Sequence, residues 1–457
     1  MIRDIRSSTP NGIGGNITLT ASQGQILVTP TGRGQTVQTV DNQDDTTVWK
    51  LRAESSNGLA GDVTLTALGN IQSPNIQASS VNKLPSTDFA DISITSSTGT
   101  VFIENATLNT TNAGNSFAGD ISISGRDIQI TDNSSIKSQG IVGRINLTAN
   151  DGKVTISNNS VVDTQTTNGV TTTLKPSQGE GISIKAGQIE INNNSSLTAQ
   201  TNSSAPPGSI TLDATGSVDI TNGSSIRNTV SDNANVQQVV ADYTPTISLK
   251  GISVNIINSG INASTFGIGN ASNVIINARD LVTFDNANAF TTVEDTGIGQ
   301  GGNIEITADS LFVRNGAQLQ TLTKGQGNAG NITINARNQV TFDNANAFAT
   351  VEQGGKGKGG DIRISIPTGS LFVTNGAQLQ ALTKGQGDAG SIIINASDSV
   401  NISGTSPISG LSSALFTSTE GNSRGAGGNI TVGSEIRPNL FSFPRIKRCC
   451  VLYKHCQ

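Results

Sequence analysis

Cysteine, histidine and tryptophan are almost missing from this chain of 457 residues, which holds three Cys, one His and one Trp. All three Cys (Cys449, Cys450, Cys456) and His455 sit close to the carboxy terminus. The sequence up to Val432 therefore contains no disulfide, and its stability must come from packing and backbone hydrogen bonds. Adjacent Cys449-Cys450 followed by His455-Cys456 lacks the C-x2-C spacing of common zinc sites, so the tail offers no recognisable metal centre. Charged residues make up 13% of the chain and the net charge is −5, with no basic face to meet phosphates, which excludes nucleic acid as a partner. No apolar run approaches the length of a transmembrane segment, and Met1-Ile-Arg-Asp-Ile-Arg-Ser has no apolar core of a signal peptide.

What the chain does have is repetition. Residues 273–330 and 331–390 are near-duplicates, both carrying VTFDNANAF, LFV-x-NGAQLQ and LTKGQG phrases. Each copy splits into two halves, and the phrase that opens a half recurs along the chain. It is a small or polar residue followed by two β-branched or Leu residues spaced by one. It begins at Asn16, Asp62, Asp91, Asp120, Arg144, Gly181 and Ser209, then at Thr246, Asn273, Asn303, Asn331, Asp361, Ser391 and Asn429. The spacing is about 29 residues with insertions, which marks a stack of one supersecondary unit. The repetitive part covers 1–433; residues 434–457 change composition and read as a tail that is disordered or non-native.

Inside a unit the apolar residues alternate with polar ones, the period of a strand rather than of a helix. Ile304 and Ile306 are expected to point inward, with Asn303, Glu305 and Thr307 outward. Leu311 and Val313 follow, then Asn315-Gly316, then Ala317, Leu319 and Thr321. The same frame fits Ile128–Ile136, Val154–Val162 and Val218–Ile226, while the units at Val101 and Val254 run one residue short. The corner recurs at Asp132, Asn158, Asn193, Asn222, Asn315, Asn344 and Asn375, residue types that tolerate positive φ and whose side chains can ladder from unit to unit. Ala345 follows Asn344 where Gly follows Asn315 and Asn375, which predicts a somewhat strained corner or another turn type there. The stretches 33–57, 73–89, 165–178, 200–207 and 229–244 read as loops.

Three short strands per unit, each too short to bury its face alone, predict a right-handed parallel β-helix of about 14 units. Hairpins at each Asn-Gly would leave the third apolar pair unexplained. A β-propeller needs about 40 residues per blade, more than these units supply.

The stacked GGNIxI…LFVxNGAxLxTxTxGxGxAGNIxI units resemble the large exoproteins of the filamentous-haemagglutinin type, the passengers of two-partner secretion. Phe342-Asp343-Asn344 and the run from Gly410 to Thr417 (GLSSALFT) carry the resemblance furthest. It implies an adhesin-like β-helical rod exported through an outer-membrane transporter and displayed at the cell surface or outer membrane of a Gram-negative-type bacterium. Ligands on cells or glycans are its implied partners. The family's amino-terminal secretion domain is not apparent, although Thr9-Pro10-Asn11-Gly12 is faintly similar to one of its motifs. The resemblance thus implies an interior or carboxy-terminal portion of a larger exoprotein.

β-Helices also host polysaccharide lyases and glycosidases, whose chemistry needs clustered carboxylates with a base or cation nearby. The candidates are Asp361 with Arg363, Glu294 with Asp295, and Asp285 and Asp343. The last two occupy equivalent positions in successive repeats and read as corner chemistry, so the expectation is no catalytic residue, no cofactor and no metal. Gly359-Gly360-Asp361-Ile362 and Gly327-Asn328-Ala329-Gly330 are similar to fragments of calcium-binding repeats, but those recur every nine residues with Asp at each turn. Outward Thr18, Thr20, Thr64 and Thr66 suggest an ice-binding face. Such a face needs a flat ladder over many units, and Lys185, Glu305 and Arg363 interrupt it.

Overall fold

In a computed structural model the described residues are 4–9, 14–31, 34–39, 50–55, 60–80, 90–112, 118–140, 143–167, 181–236, 244–421 and 423–433. They form strands and turns with no helix, and the strands stack in parallel as a β-solenoid. Two compact units divide the chain. One comprises Met1–Asn228 and Asn233–Pro245, the other Thr229–Asp232 and Thr246–Gln457.

In the first unit the opening phrases become the strands Ile17–Ala21, Val63–Ala67, Ile92–Ser96, Ile121–Gly125, Ile145–Ala149, Gly181–Ala186 and Ser209–Ala214. Each pairs in parallel with the next, so Ile17, Val63, Ile92, Ile121, Ile145, Ile182 and Ile210 lie in one column. All seven are buried. A fully buried Ile or Val is worth roughly 1.5–3 kcal/mol, so this column is a main source of stability. The second unit repeats the device with Val274, Ile304, Ile332, Ile362, Ile392 and Ile430.

The small or polar residue that opens each phrase has a structural task. In the second unit the Asn273 side-chain oxygen accepts the backbone N–H of Asn303 at 2.8 Å, Asn303 that of Asn331 at 2.9 Å, and Asn331 that of Asp361 at 2.8 Å. Asp361 continues the ladder to Ser391 at 2.7 Å. In the first unit Asn16, Asp62 and Asp91 accept in the same way from Asp62, Asp91 and Asp120. A short side chain with an acceptor oxygen thus ties one coil entry to the next at these positions, while Arg144 and Gly181 open their coils without one.

The sequence reading needs three corrections. The count of turns is about 11 rather than 14. All fourteen opening phrases form strands, but three lie in incomplete or irregular turns. After the one at Asn16, Ile26–Thr31 pairs antiparallel with Gly34–Thr39. The turn from Ser391 is broken by an excursion closed by the antiparallel bridge Thr405–Ser412, and the one from Asn429 is described only as far as Gly433.

The turns also do not all keep three separate strands. Thr246–Ile257, Asn273–Asp285, Ile304–Arg314 and Ile332–Asp343 each fuse the first two into one bent strand. A register shift after Ala308 moves the inward positions from Ile304, Ile306 and Ala308 to Leu311 and Val313, so both halves face the interior. Where Pro367 and its neighbours lengthen this bend, the strand divides into Ile362–Ile366 and Ser370–Thr374.

Two supposed loops contain third strands: Lys50–Ser55 lies in 33–57 and Asn75–Ser80 in 73–89. Their inward residues include Ala53, Ser55 and Ala78, which give the alternation little hydrophobic contrast. The tail 434–457, with Cys449, Cys450, His455 and Cys456, lies outside the described residues, as does Pro10-Asn11-Gly12.

Candidate functional site

The corner between the second and third strands is the most regular polar feature. Asp132, Asn158, Asn193, Asn222, Asn315, Asn344 and Asn375 all have φ between +48° and +59°. Two corner types occur. Asn158-Asn159, Asn193-Asn194, Asn315-Gly316 and Asn375-Gly376 place two residues at positive φ, whereas Asn105, Asn258, Asn286 and Asn344 place one. The single type is found in the units at Val101 and Val254 that run short, and where Ala follows Asn. The corner at Asn344-Ala345 is thus of another turn type, as the Ala after Asn predicts, and the short units share it.

Amide side chains climb this corner. Asn158 Nδ2 donates to Asp132 Oδ1 at 2.9 Å, Asn193 to Asn158 at 3.1 Å, and Asn222 to Asn193 at 3.4 Å. Beneath them runs a column the sequence reading did not recognise. Ser134, Ser160, Ser195 and Ser224 are buried, and the Oγ atoms of Ser160, Ser195 and Ser224 accept the backbone N–H of the serine one coil before, at 3.1–3.3 Å. The Ser one or two places after each Asn was the available signal, hidden by the abundance of Ser in the chain.

The carboxylates weighed as catalytic are dispersed into separate ladders. Asp285 Oδ2 accepts from Arg314 Nε at 2.9 Å and its Oδ1 from Asn315 Nδ2 at 2.7 Å. Asp343 Oδ1 accepts from Asn375 Nδ2 at 2.6 Å and from the Thr374 hydroxyl at 3.3 Å. Asp361 belongs to the coil-entry ladder through Oδ1, while its Oδ2 meets Arg363 on the same strand. Glu294 pairs with Lys324 at 2.7 Å. Among the described residues no three His, Cys, Asp or Glu side chains come together as a metal site would need. In the first unit the hydrogen bond from Lys153 holds the Glu190 carboxyl below its ordinary range, and burial pushes Asp163 up.

Glu294–Lys324 is part of a longer series. Val293, Thr323, Val351, Thr383 and Thr419 are bridged in turn, so the residues after them, Glu294, Lys324, Glu352, Lys384 and Glu420, form one column of alternating charge. Lys384 contacts Glu352 at 3.2 Å, while Glu420 is exposed. A cleft of about 510 Å³ opens beside this column, lined by Gln353, Gly354, Gly355, Lys384, Gln386 and Glu420 among others. Its walls offer one cation, one carboxylate and two amides, a set suited to a small polar group, with no aromatic surface on which a ring could stack.

No family model, no curated protein and no solved structure matches this chain.

Proposed function

We propose that the chain is an adhesin-like exoprotein of the filamentous-haemagglutinin type, displayed at a bacterial surface and making contact with cells or glycans. The observation that carries this reading is the repetition of one polar surface. Parallel stacking sets equivalent outward side chains about 4.8 Å apart in column after column. A weak contact made by one coil is therefore offered again by the next, and affinity accumulates through multivalency rather than in a pocket. The reading also accounts for the carboxylates at Asp285, Asp343 and Asp361, each of which works in a ladder that joins coils. Export through an outer-membrane transporter belongs to the same proposal.

The test is binding of the purified chain, immobilised on beads at high density, to cells and to a glycan array. Saturable binding that collapses when the chain is presented as a monomer is expected. No retention at any density would end the adhesin reading. Saturable cleavage of an acidic polysaccharide, abolished by Asp361→Asn or Asp343→Asn with the fold intact, would replace it with catalysis.

A further inference from the structure

The outward positions of the first unit's opening strands differ from every other polar face described above. Thr18, Thr64, Ser93, Ser122 and Asn146 form one column across five consecutive coils. Two residues further along each strand, a second column runs from Thr20 to Thr148 and consists only of Ser and Thr. The interruption expected at Lys185 falls on the next coil, and Glu305 and Arg363 belong to the second unit. Five coils are thus uninterrupted.

None of the side chains in these two columns makes a hydrogen bond to protein among the described residues. Elsewhere in the same unit outward polar groups are tied together: Lys50 to Gln77 at 2.6 Å, Asn109 to Thr111 at 2.6 Å, Ser217 to Asp219 at 2.7 Å. The hydroxyls of the two columns instead direct their hydrogen-bonding capacity away from the protein.

The second unit supplies an internal control. Its opening strands bury the same kind of Ile column, yet at the positions matching the first column they carry Ile275, Glu305, Arg363 and Ile393 beside Thr333, while those matching the second column are Asn277, Thr307, Asn335, Ser365 and Asn395. Solenoid packing therefore does not require hydroxyls there.

We propose that this face binds the surface of ice. The columns set hydroxyl and amide groups on a grid of about 4.8 Å between coils by about 6.6 Å along the strand. Ice presents its own flat, regular grid of water oxygens that donate and accept at comparable intervals. β-Branched Thr is restricted at χ1, so its hydroxyl and methyl are pre-positioned and little rotamer freedom is lost on contact. The two columns themselves carry no formal charge; the charges beside them, Asp62, Asp91, Asp120 and Arg144, stand at the coil entry, where Asp62 and Asp91 each accept a backbone N–H and Asp120 pairs with Arg144. No aromatic ring lies in either column, which disfavours a crystalline polysaccharide as the occupant.

The experiment grows an ice hemisphere slowly from a solution of the full chain and compares protein in the ice with protein in the remaining liquid. Crystal shape is followed by microscopy. The wild-type chain is expected to be enriched in the ice severalfold over a non-binding protein and to facet the crystals. The Thr66→Lys/Thr95→Lys variant should fall to the excluded level with an unchanged thermal unfolding curve, while Thr307→Lys in the second unit keeps full enrichment. If the lysine pair disturbs folding, Thr66→Ala/Thr95→Ala should lower enrichment in the same direction. Exclusion of the wild-type chain from ice overturns the proposal, as does equal loss in Thr307→Lys. Retention on cellulose powder together with exclusion from ice would assign the face to a polysaccharide instead.

Discussion

At the scale of single residues, most polar groups of this protein hold coils together, and Asp163 stands apart. One of its oxygens is buried with no hydrogen-bond partner, and the nearest cation, Lys137 Nζ, is 4.0 Å away. Burial raises its pKa above the ordinary aspartate value, and the attraction of Lys137 only partly opposes this. Between the unfolded and folded pKa values the native state then binds more protons than the unfolded one, so stability falls as pH rises through that window. The cost is fully present above the folded pKa and gone below the unfolded one. Asp163→Asn should therefore stabilise the protein at pH 7. That gain should shrink as the pH is lowered through the folded pKa towards the ordinary carboxylate range. Urea unfolding of both proteins at pH 7 and pH 4 measures it. A variant less stable than wild type at pH 7 would show that the Lys137 contact outweighs burial.

At the scale of the coil, glycine does two different things. Gly330 packs so closely on the preceding coil that a Cβ would lie 1.9 Å from Gly302 O, while Gly316 has open space around the same position but a φ of +82°. Gly330→Ala must push two coils apart and should destabilise by about 3 kcal/mol or more. Gly316→Ala meets only the left-handed backbone penalty, about 1–2 kcal/mol. Midpoints of chemical denaturation would rank them; equal effects would mean that conformation rather than coil spacing governs both. The sequence makes one of these roles legible and conceals the other. Asn-Gly at Asn315 announces a corner, because few residue types accept positive φ. The close approach at Gly330 depends on Gly302 in another coil, and nothing local to either residue records it. The same reasoning explains why the strand at Asn75–Ser80 is hidden while the inward pairs Ile304/Ile306 and Leu311/Val313 are plain. Alternation shows in a sequence only when the inward residue is large, and Ala78 packs inward without advertising it. As for the candidate site, the sequence identified the carboxylates and their repetition. Which ladder partner each one takes is set by coil-to-coil register, so Asp285 with Arg314 emerges only once the coils are stacked.

At the scale of the whole repeat array, the structural period is one coil but the energetic period in the second unit is two. Phe284, Val313, Phe342 and Val373 alternate large and small along one interior column. Ala289, Leu319, Ala347 and Leu379 alternate in the opposite sense along another, so each coil pairs a large residue with a small one. Outside, Glu294, Lys324, Glu352 and Lys384 alternate in charge over the same coils. The near-duplicate segments 273–330 and 331–390 each span one full cycle of all three patterns, which is why the duplicated unit is two coils long. Deleting 331–390 should then be tolerated, since Val313, Leu319 and Lys324 would meet Ile402, Leu415 and Glu420, as Val373, Leu379 and Lys384 do now. Deleting only 331–360 removes a single coil. It sets Val313 against Val373 and Lys324 against Lys384, leaving two small residues in contact where large and small alternate and opposing two like charges. The packing error is expected to cost about 1–3 kcal/mol, and the lost surface ion pair a further 0.2–1 kcal/mol or so. Thermal unfolding of the two deletion proteins decides the matter. The one-coil deletion, although it removes less of the chain, should melt at the lower temperature. The reverse order would mean that coils are interchangeable one at a time and that the two-coil period records only the history of the sequence.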